Sequence, residues 1–175
     1  MYCGCNPTAL SSQTQISQAL IRLMLQKPFA SVSVSELCRE AGVSRPTFYY
    51  LFSSLENVVL FTLQEKTCEI PHTSEHGTTM DQLCRCYSQY IWKNRAFLKL
   101  LVQNNVGYLL YNSICDSFLH CQSFSHGPEP YRLYAAHFIA GGITGVVRQY
   151  CTEEPPISAD VLYEILRGLF NGTLL

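Results

Sequence analysis

Apolar residues along the chain recur at helical spacing. Ile16, Ala19, Leu20 and Leu23 follow the i, i+3, i+4, i+7 rule, so the pattern predicts a first helix from Thr14 to about Gln26, stopping ahead of Pro28. Residues 1–11, with Gly4, Asn6 and Pro7, read as a loose arm before it. Ser33 and Glu36 have the S-x-x-E spacing of a capping box and predict a second helix whose apolar face is Val34, Leu37, Cys38 and Ala41. Gly42 can end that helix in a left-handed conformation without a Cβ clash. Val43 then anchors a turn, Ser44 is a good N-cap, and Pro46 falls in the first turn of a third helix beginning at about Arg45, where a missing N–H costs nothing. On that helix Phe48 and Phe52 can face the core, which leaves Arg45, Thr47, Tyr49 and Tyr50 as a polar and aromatic face in solvent.

Ser53 and Glu56 repeat the capping spacing, and Val58, Val59, Phe61 and Leu63 carry a fourth helix toward Ile70, with Pro71 ending it. The stretch 71–78 has loop composition and marks the break before further helices at about 79–94, 95–104 and 108–125. After the loop H-G-P-E-P comes a long helix over 131–150, then a last one capped by Ser158 with apolar Val161, Leu162, Ile165, Leu166 and Leu169. Gly141, Gly142 and Gly145 each weaken the long helix by roughly 0.8–1 kcal/mol relative to alanine, so close packing against a neighbour should repay the loss. No alternating strand pattern persists, so the expected fold is all-α. It divides into an N-terminal three-helix helix-turn-helix DNA-binding domain (1–55) and a C-terminal helical effector and dimerisation domain (56–175).

A helix, a short turn containing Gly, and a second helix with an exposed Arg/Thr/Tyr face is the arrangement of a DNA-reading helix-turn-helix. Arg45 is the candidate for base-edge contact, since its fork matches two acceptors in the major groove; Thr47 and Tyr50 can add contacts there. Tyr49, with Ser33 and Ser35 at the start of the second helix, would bind phosphate, and Ser44 and Pro46 complete the set. The alternative is that Tyr49 and Tyr50 only pack.

The run V-S-R-P-T-F-Y-Y-L-F-S-S-L-E-N-V resembles the signature of the TetR family of bacterial transcriptional regulators, T-[FL]-Y-x-x-F-x-x-K-E-x-L, with Thr47, Phe48, Tyr49, Phe52 and Glu56 at matching positions. Leu55 stands where the family usually has Lys, and Leu51 where it often has a polar residue. The missing Lys would remove a phosphate contact, about one unit of salt slope. The first helix likewise begins with uncharged Ser11, Ser12, Gln13 and Thr14, which could hydrogen-bond phosphates only without charge. The tail F-I-A-G-G-I-T-G-V-V-R-Q-Y is similar to the penultimate helix of a TetR subgroup common in Gram-positive bacteria. The resemblance implies a homodimer through the last two helices, with Phe138, Ile139, Gly142, Val146, Ile165 and Leu169 as interface candidates, or otherwise as intrachain core. It also implies an unknown small-molecule effector, for whose pocket Tyr87, Tyr90, Phe97, Tyr108 and Tyr111 are candidates, core packing being the alternative. Implied partners are thus a double-stranded DNA operator, a second copy of the chain and an effector, with no cofactor.

Composition narrows the classes. Of 175 residues 47% are hydrophobic, ample for a core, and the net charge is −1 from 12 basic and 13 acidic residues. Up to Lys66 five basic residues (Arg22, Lys27, Arg39, Arg45, Lys66) meet four acidic ones (Glu36, Glu40, Glu56, Glu65), a weak basic excess. No apolar run reaches the ~20 residues of a membrane span, and the N-terminus lacks the pattern of a signal peptide, so a cytoplasmic protein is expected. Nine cysteines without a C-x-x-C pair read as reduced thiols. No nucleophile–base pair, metal-ligand cluster or phosphate loop has usable spacing, so neither catalysis nor a metal is expected. The near-neutral head, Leu51, Leu55 and the uncharged first helix leave a second possibility: an effector-binding or protein-interaction module of the same fold with weak or lost DNA binding.

Overall fold

The structure, a computed structural model, describes residues 2, 4–67, 79–120 and 128–173. Among them every regular element is helical: α1 (Pro7–Gln26), a 3₁₀ turn (Phe29–Ser31), α2 (Val34–Ala41), α3 (Arg45–Leu51), α4 (Leu55–Thr67), α5 (Met80–Lys93), α6 (Arg95–Gln103), α7 (Gly107–His120), α8 (Glu129–Thr152) and α9 (Ala159–Phe170). The all-α expectation holds. The expected loop at 71–78, the end of the fourth helix at Ile70 and the stretch 121–125 lie outside the described residues.

The helix boundaries follow local chemistry, and three differ from the expected ones. The first helix starts at Pro7 instead of Thr14, because the Asn6 side chain accepts from the N–H groups of Thr8 and Ala9 and proline at the first position has no N–H to satisfy. So Ser11 to Thr14 lie inside a helix, and Gln13 is buried, away from any phosphate. At α4 the Ser53–Glu56 capping box does not form: Ser54 Oγ accepts from Asn57 N–H at 3.3 Å, while Ser53 donates to the Asn57 side chain. The eighth helix begins at Glu129, because Pro130 in its first turn again loses no hydrogen bond.

The first four helices pack around α1, which touches α2, α3 and α4. Ser17 of α1 donates to the Thr62 hydroxyl at 2.7 Å, and Thr62 in turn donates to the Val58 carbonyl, so this buried pair is satisfied. In the second half α5 lies along α9 and α7 along α8. Tyr163 of α9 donates to Asp81 of α5 at 2.6 Å, and the Arg85 guanidinium lies 4.1 Å from the Tyr163 ring. Buried apolar residues from Ile16 to Leu166 form one contiguous cluster.

Helix α6 bridges the halves. At its C-terminal end the Asn104 side chain accepts from Phe29 N–H at 2.6 Å and donates to the carbonyls of Leu100 at 3.0 Å and Met24 at 3.4 Å, holding the end of α1. At the other end Arg95 donates to the Glu153 carbonyl at 2.6 Å and Lys99 meets Glu154 at 3.0 Å, holding the α8–α9 connection.

Two predictions follow from these ties. Asn104→Ala leaves the Phe29 N–H without its acceptor, so the midpoint of urea unfolding should drop by the equivalent of about 1–3 kcal/mol; an unmoved midpoint would remove Asn104 from the joint. The second concerns Glu36, whose carboxyl is held below its usual pKa first by the hydrogen bond from Lys27 and further by Ser33 and Arg39. A carboxyl lowered in the folded state adds stability that is complete above its unfolded pKa and is lost as pH falls through the folded one. Wild type should therefore melt above Lys27→Met at neutral pH, with the gap narrowing in acid; a gap independent of pH would disprove the coupling.

Candidate nucleic-acid interface

The helix-turn-helix is built as its residues dictate. Ser33 caps α2 by accepting from Glu36 N–H at 3.2 Å, and the Glu36 carboxylate pairs with Lys27, with the Ser33 backbone N–H also helping to keep it ionised. Gly42 ends α2 at φ 68°, ψ 28°, a left-handed conformation that a side chain would strain. Val43 N–H then bonds the Cys38 carbonyl at 3.0 Å and turns the chain. Ser44 caps α3 by accepting from Thr47 N–H at 3.2 Å, and the two hydroxyls lie 2.7 Å apart.

The seven residues of α3 divide into a buried and an exposed side. Phe48 and Leu51, with the C-cap Phe52, are essentially inaccessible, and the Phe52 ring meets the Phe48 ring at 6.0 Å and the Phe61 ring at 5.6 Å. Leu51 is thus an anchor, so the lack of a polar residue there removes nothing from the surface. Leu55, where the TetR signature has Lys, is half-buried and packs on the core. Opposite lie Ser44, Arg45 and Pro46, all exposed, half-buried Thr47, Tyr49 at 54% exposure and Tyr50 at 66%. Ser33 and Ser35 are exposed at the start of α2. Of the eight candidate DNA-binding residues, seven are thus exposed and Thr47 is half-buried.

The electrostatics there are sparse. Arg22 is held by Glu40 at 2.8 Å, Lys27 by Glu36, and Lys66 lies 5.4 Å from the Phe97 ring. Arg39 and Arg45 are exposed and form no ion pair among the described residues. Burial pushes the Cys38 thiol up, and the nearby Arg45 guanidinium offsets part of that rise. Sequence reasoning missed Tyr2, whose ring packs 5.3 Å from that of Tyr50; the cue available was a tyrosine before a glycine and a helix cap.

The aromatic pocket candidates differ in exposure. Tyr87, Tyr90 and Phe97 are buried core residues, Tyr108 is half exposed, and Tyr111 meets His137 Nδ1 at 2.5 Å. Of the five only Tyr87 lines the apolar cleft between α5, α7, α8 and α9, together with Met80, Leu83, Phe118, Ile143, Phe170 and their neighbours. The space the cleft leaves for a solvent-sized sphere is only about 10 Å³, far below the ~300–1,000 Å³ of typical small-molecule sites. Burial raises the Tyr90 phenol far above its usual pKa.

The interface candidates also separate. Ile139 is buried within the chain and lines the cleft, so it is intrachain core. Phe138 is 71% exposed, Gly142 is exposed, and Val146, Ile165 and Leu169 are half-buried. A Cβ on Gly142 would meet the Phe170 ring of the same chain at 3.6 Å, whereas Gly141 and Gly145 face open space. Tyr131 and Tyr134, more than 70% exposed on α8, and half-exposed Val161 on α9 extend the apolar surface beyond the residues singled out from sequence. No helix among the described residues is long and apolar enough to cross a membrane.

Comparison with known proteins agrees with this geometry. A sequence profile of bacterial regulatory proteins of the tetR family matches residues 16–60. The HTH-type transcriptional regulator EthR of Mycolicibacterium smegmatis is 43% identical over 54 residues, a match spanning 31% of this chain and only 25% of that relative. The fold extends further: the structure of Lin0861 from Listeria innocua superposes with a TM-score of 0.82 at 16% identity, covering 99% of this chain and 96% of that one. A TetR transcriptional regulator from Streptococcus agalactiae gives a TM-score of 0.64 at 13% identity over 93% of this chain and 94% of its own. The helix-turn-helix head, residues 16–60, is thus of the kind found in bacterial regulatory proteins of the tetR family.

Proposed function

We propose that the protein is a transcriptional regulator that binds a palindromic operator as a homodimer, with α3 in the major groove, and that it represses until a small effector releases it. The observation that carries the reading is the two-sided α3: its apolar side is fixed in the core while Arg45, Tyr49 and Tyr50 project into solvent and Arg45 has no ion-pair partner among the described residues. Arg45 would read a base edge, Thr47 and Tyr50 would add groove contacts, and Tyr49, Ser33 and Ser35 would meet phosphates. Two heads on a two-fold axis would then read half-sites about 34–36 Å apart. The domain division would fall at 55/56, with α4 leading from the head into the effector and dimerisation part.

The exposed stripe of Tyr131, Tyr134 and Phe138 on α8, with Val161 also exposed on α9, supports dimerisation through these helices, since a monomer gains nothing from exposing them. For the effector, the apolar lining of the cleft beside Phe170 suits a small apolar ligand, for which the cleft would have to open.

A second reading, an interaction module with weak DNA affinity, is favoured by the engagement of Arg22 and Lys27 in internal ion pairs, which leaves little charge for phosphates. Fluorescence anisotropy of the chain against its own upstream intergenic DNA and a scrambled duplex, at about 50 and 200 mM salt, separates the two. A regulator prefers the native duplex at both salts; equal binding abolished by salt favours the module. Arg45→Ala should weaken the preferred duplex by about 1–3 kcal/mol without altering sedimentation, and unchanged preference would refute its role. Phe138→Glu should convert a dimer to a folded monomer in sedimentation, because Phe138 contributes little to its own chain's core; a persistent dimer would exclude this face.

A further inference from the structure

The start of the chain folds back onto the C-terminal end of α3. Tyr2 N–H donates to the Leu51 carbonyl at 2.9 Å, an acceptor that the last turn of α3 cannot use itself. The Tyr2 carbonyl accepts from Gln13 Nε2 at 3.1 Å, and Gln13 is 1% exposed on α1. The Tyr2 ring lies against the Tyr50 ring with centroids 5.3 Å apart and planes tilted by 41°. Its hydroxyl accepts from Asn6 N–H at 3.3 Å, next to the cap that starts α1. Gly4 makes room for this, since a Cβ there would stand 2.3 Å from the Tyr2 hydroxyl and 2.5 Å from the carbon bearing it.

The arm is therefore tied at its backbone on both sides and at both ends of its ring, and the glycine admits the ring where any other residue would displace it. Chain termini without such ties fray. Tyr50, which the ring abuts, is the most exposed aromatic of the reading face, and an exposed side chain changes rotamer on the ps–ns scale unless held. Binding with a side chain already in place avoids the cost of ordering it on contact.

We propose that Tyr2 is a positioning residue for the reading face: its ring packs against that of Tyr50 and its N–H closes the end of α3, holding the Tyr50 phenol in one orientation and so sharpening discrimination between duplexes. The inference rests on the regulator reading for its DNA consequence, though not for the clamp itself. Tyr2 needs no contact with DNA to act in this way. Gly4→Ala should act like loss of the Tyr2 ring, because the new methyl displaces it.

The test follows Tyr50 by two measurements on the full chain. NMR of labelled tyrosine rings reports its orientation without DNA, and anisotropy against the upstream intergenic duplex and its scramble reports discrimination. Tyr2→Ala and Gly4→Ala should both shift the Tyr50 resonances and reduce the preference ratio by about threefold or more, with scrambled-duplex binding unchanged. Tyr2→Phe keeps the ring and should retain the preference. In a Tyr50→Ala background, Tyr2→Ala should change the ratio no further. Unmoved Tyr50 resonances in both Tyr2→Ala and Gly4→Ala would overturn the clamp. An equal loss of preference with and without Tyr50 would overturn its action through that residue. Should the wild type prefer no duplex, it is the regulator reading that fails, and the Tyr50 resonances still decide whether Tyr2 positions the ring.

Discussion

The reading face exists because Phe48, Leu51 and Phe52 are buried. An isolated helix shorter than about 12–15 residues is marginal in water, and α3 has seven, so its own hydrogen bonds cannot keep it formed. Docking of three large apolar side chains on α1 and α4 supplies what the backbone lacks, and it leaves the other side of the helix no role in stability. Arg45, Tyr49 and Tyr50 are thereby available for contact without cost to the fold. The two caps then set where the helix begins and which way it points: Gly42 fixes the turn by its left-handed backbone, and Ser44 fixes the first turn of α3.

The same division explains the departures from the TetR signature. A leucine at position 51 deepens the anchor, and a leucine at 55 adds to the packing where α4 begins. Both changes trade surface polarity for core. With Arg22 and Lys27 already engaged by Glu40 and Glu36, the face has little charge with which to hold phosphates in general. In the proposed regulator such a face would depend on hydrogen-bonding and aromatic groups at fixed positions more than on long-range attraction, and the orientation of Tyr50 would matter for that reason.

What was legible in the sequence was whatever depends on neighbours a few residues away. The α2–turn–α3 unit was readable from Ser33, Gly42, Ser44 and Pro46, because caps and left-handed turns are local. The start of α1 was equally local, yet Asn6 and Pro7 read as loop composition when they are a cap and a first helical residue. Contacts distant in sequence were not legible. Nothing about Asn104 announces that it will bond Phe29 and Met24, nor about Tyr2 that it will meet Tyr50. The pocket candidates were out of reach for a related reason: helical spacing places Tyr87, Tyr90, Phe97, Tyr108 and Tyr111 on their helices, but which side each helix turns to its neighbours is decided by packing.

Helix α6 shows how the two halves can influence each other. It is fastened to the head through Asn104, the contact of Lys66 with the Phe97 ring and neighbouring apolar contacts, and to the α8–α9 connection through Arg95 and Lys99. A displacement of α8 or α9, the helices that line the apolar cleft, would be carried along α6 to the end of α1, since its nine residues form a single rigid element between two sets of hydrogen bonds. The α1 helix packs on α2, α3 and α4 together, so movement at Met24 and Phe29 reaches the base on which α3 is seated. In the proposed regulator these ties would be the path that couples the cleft to the reading face.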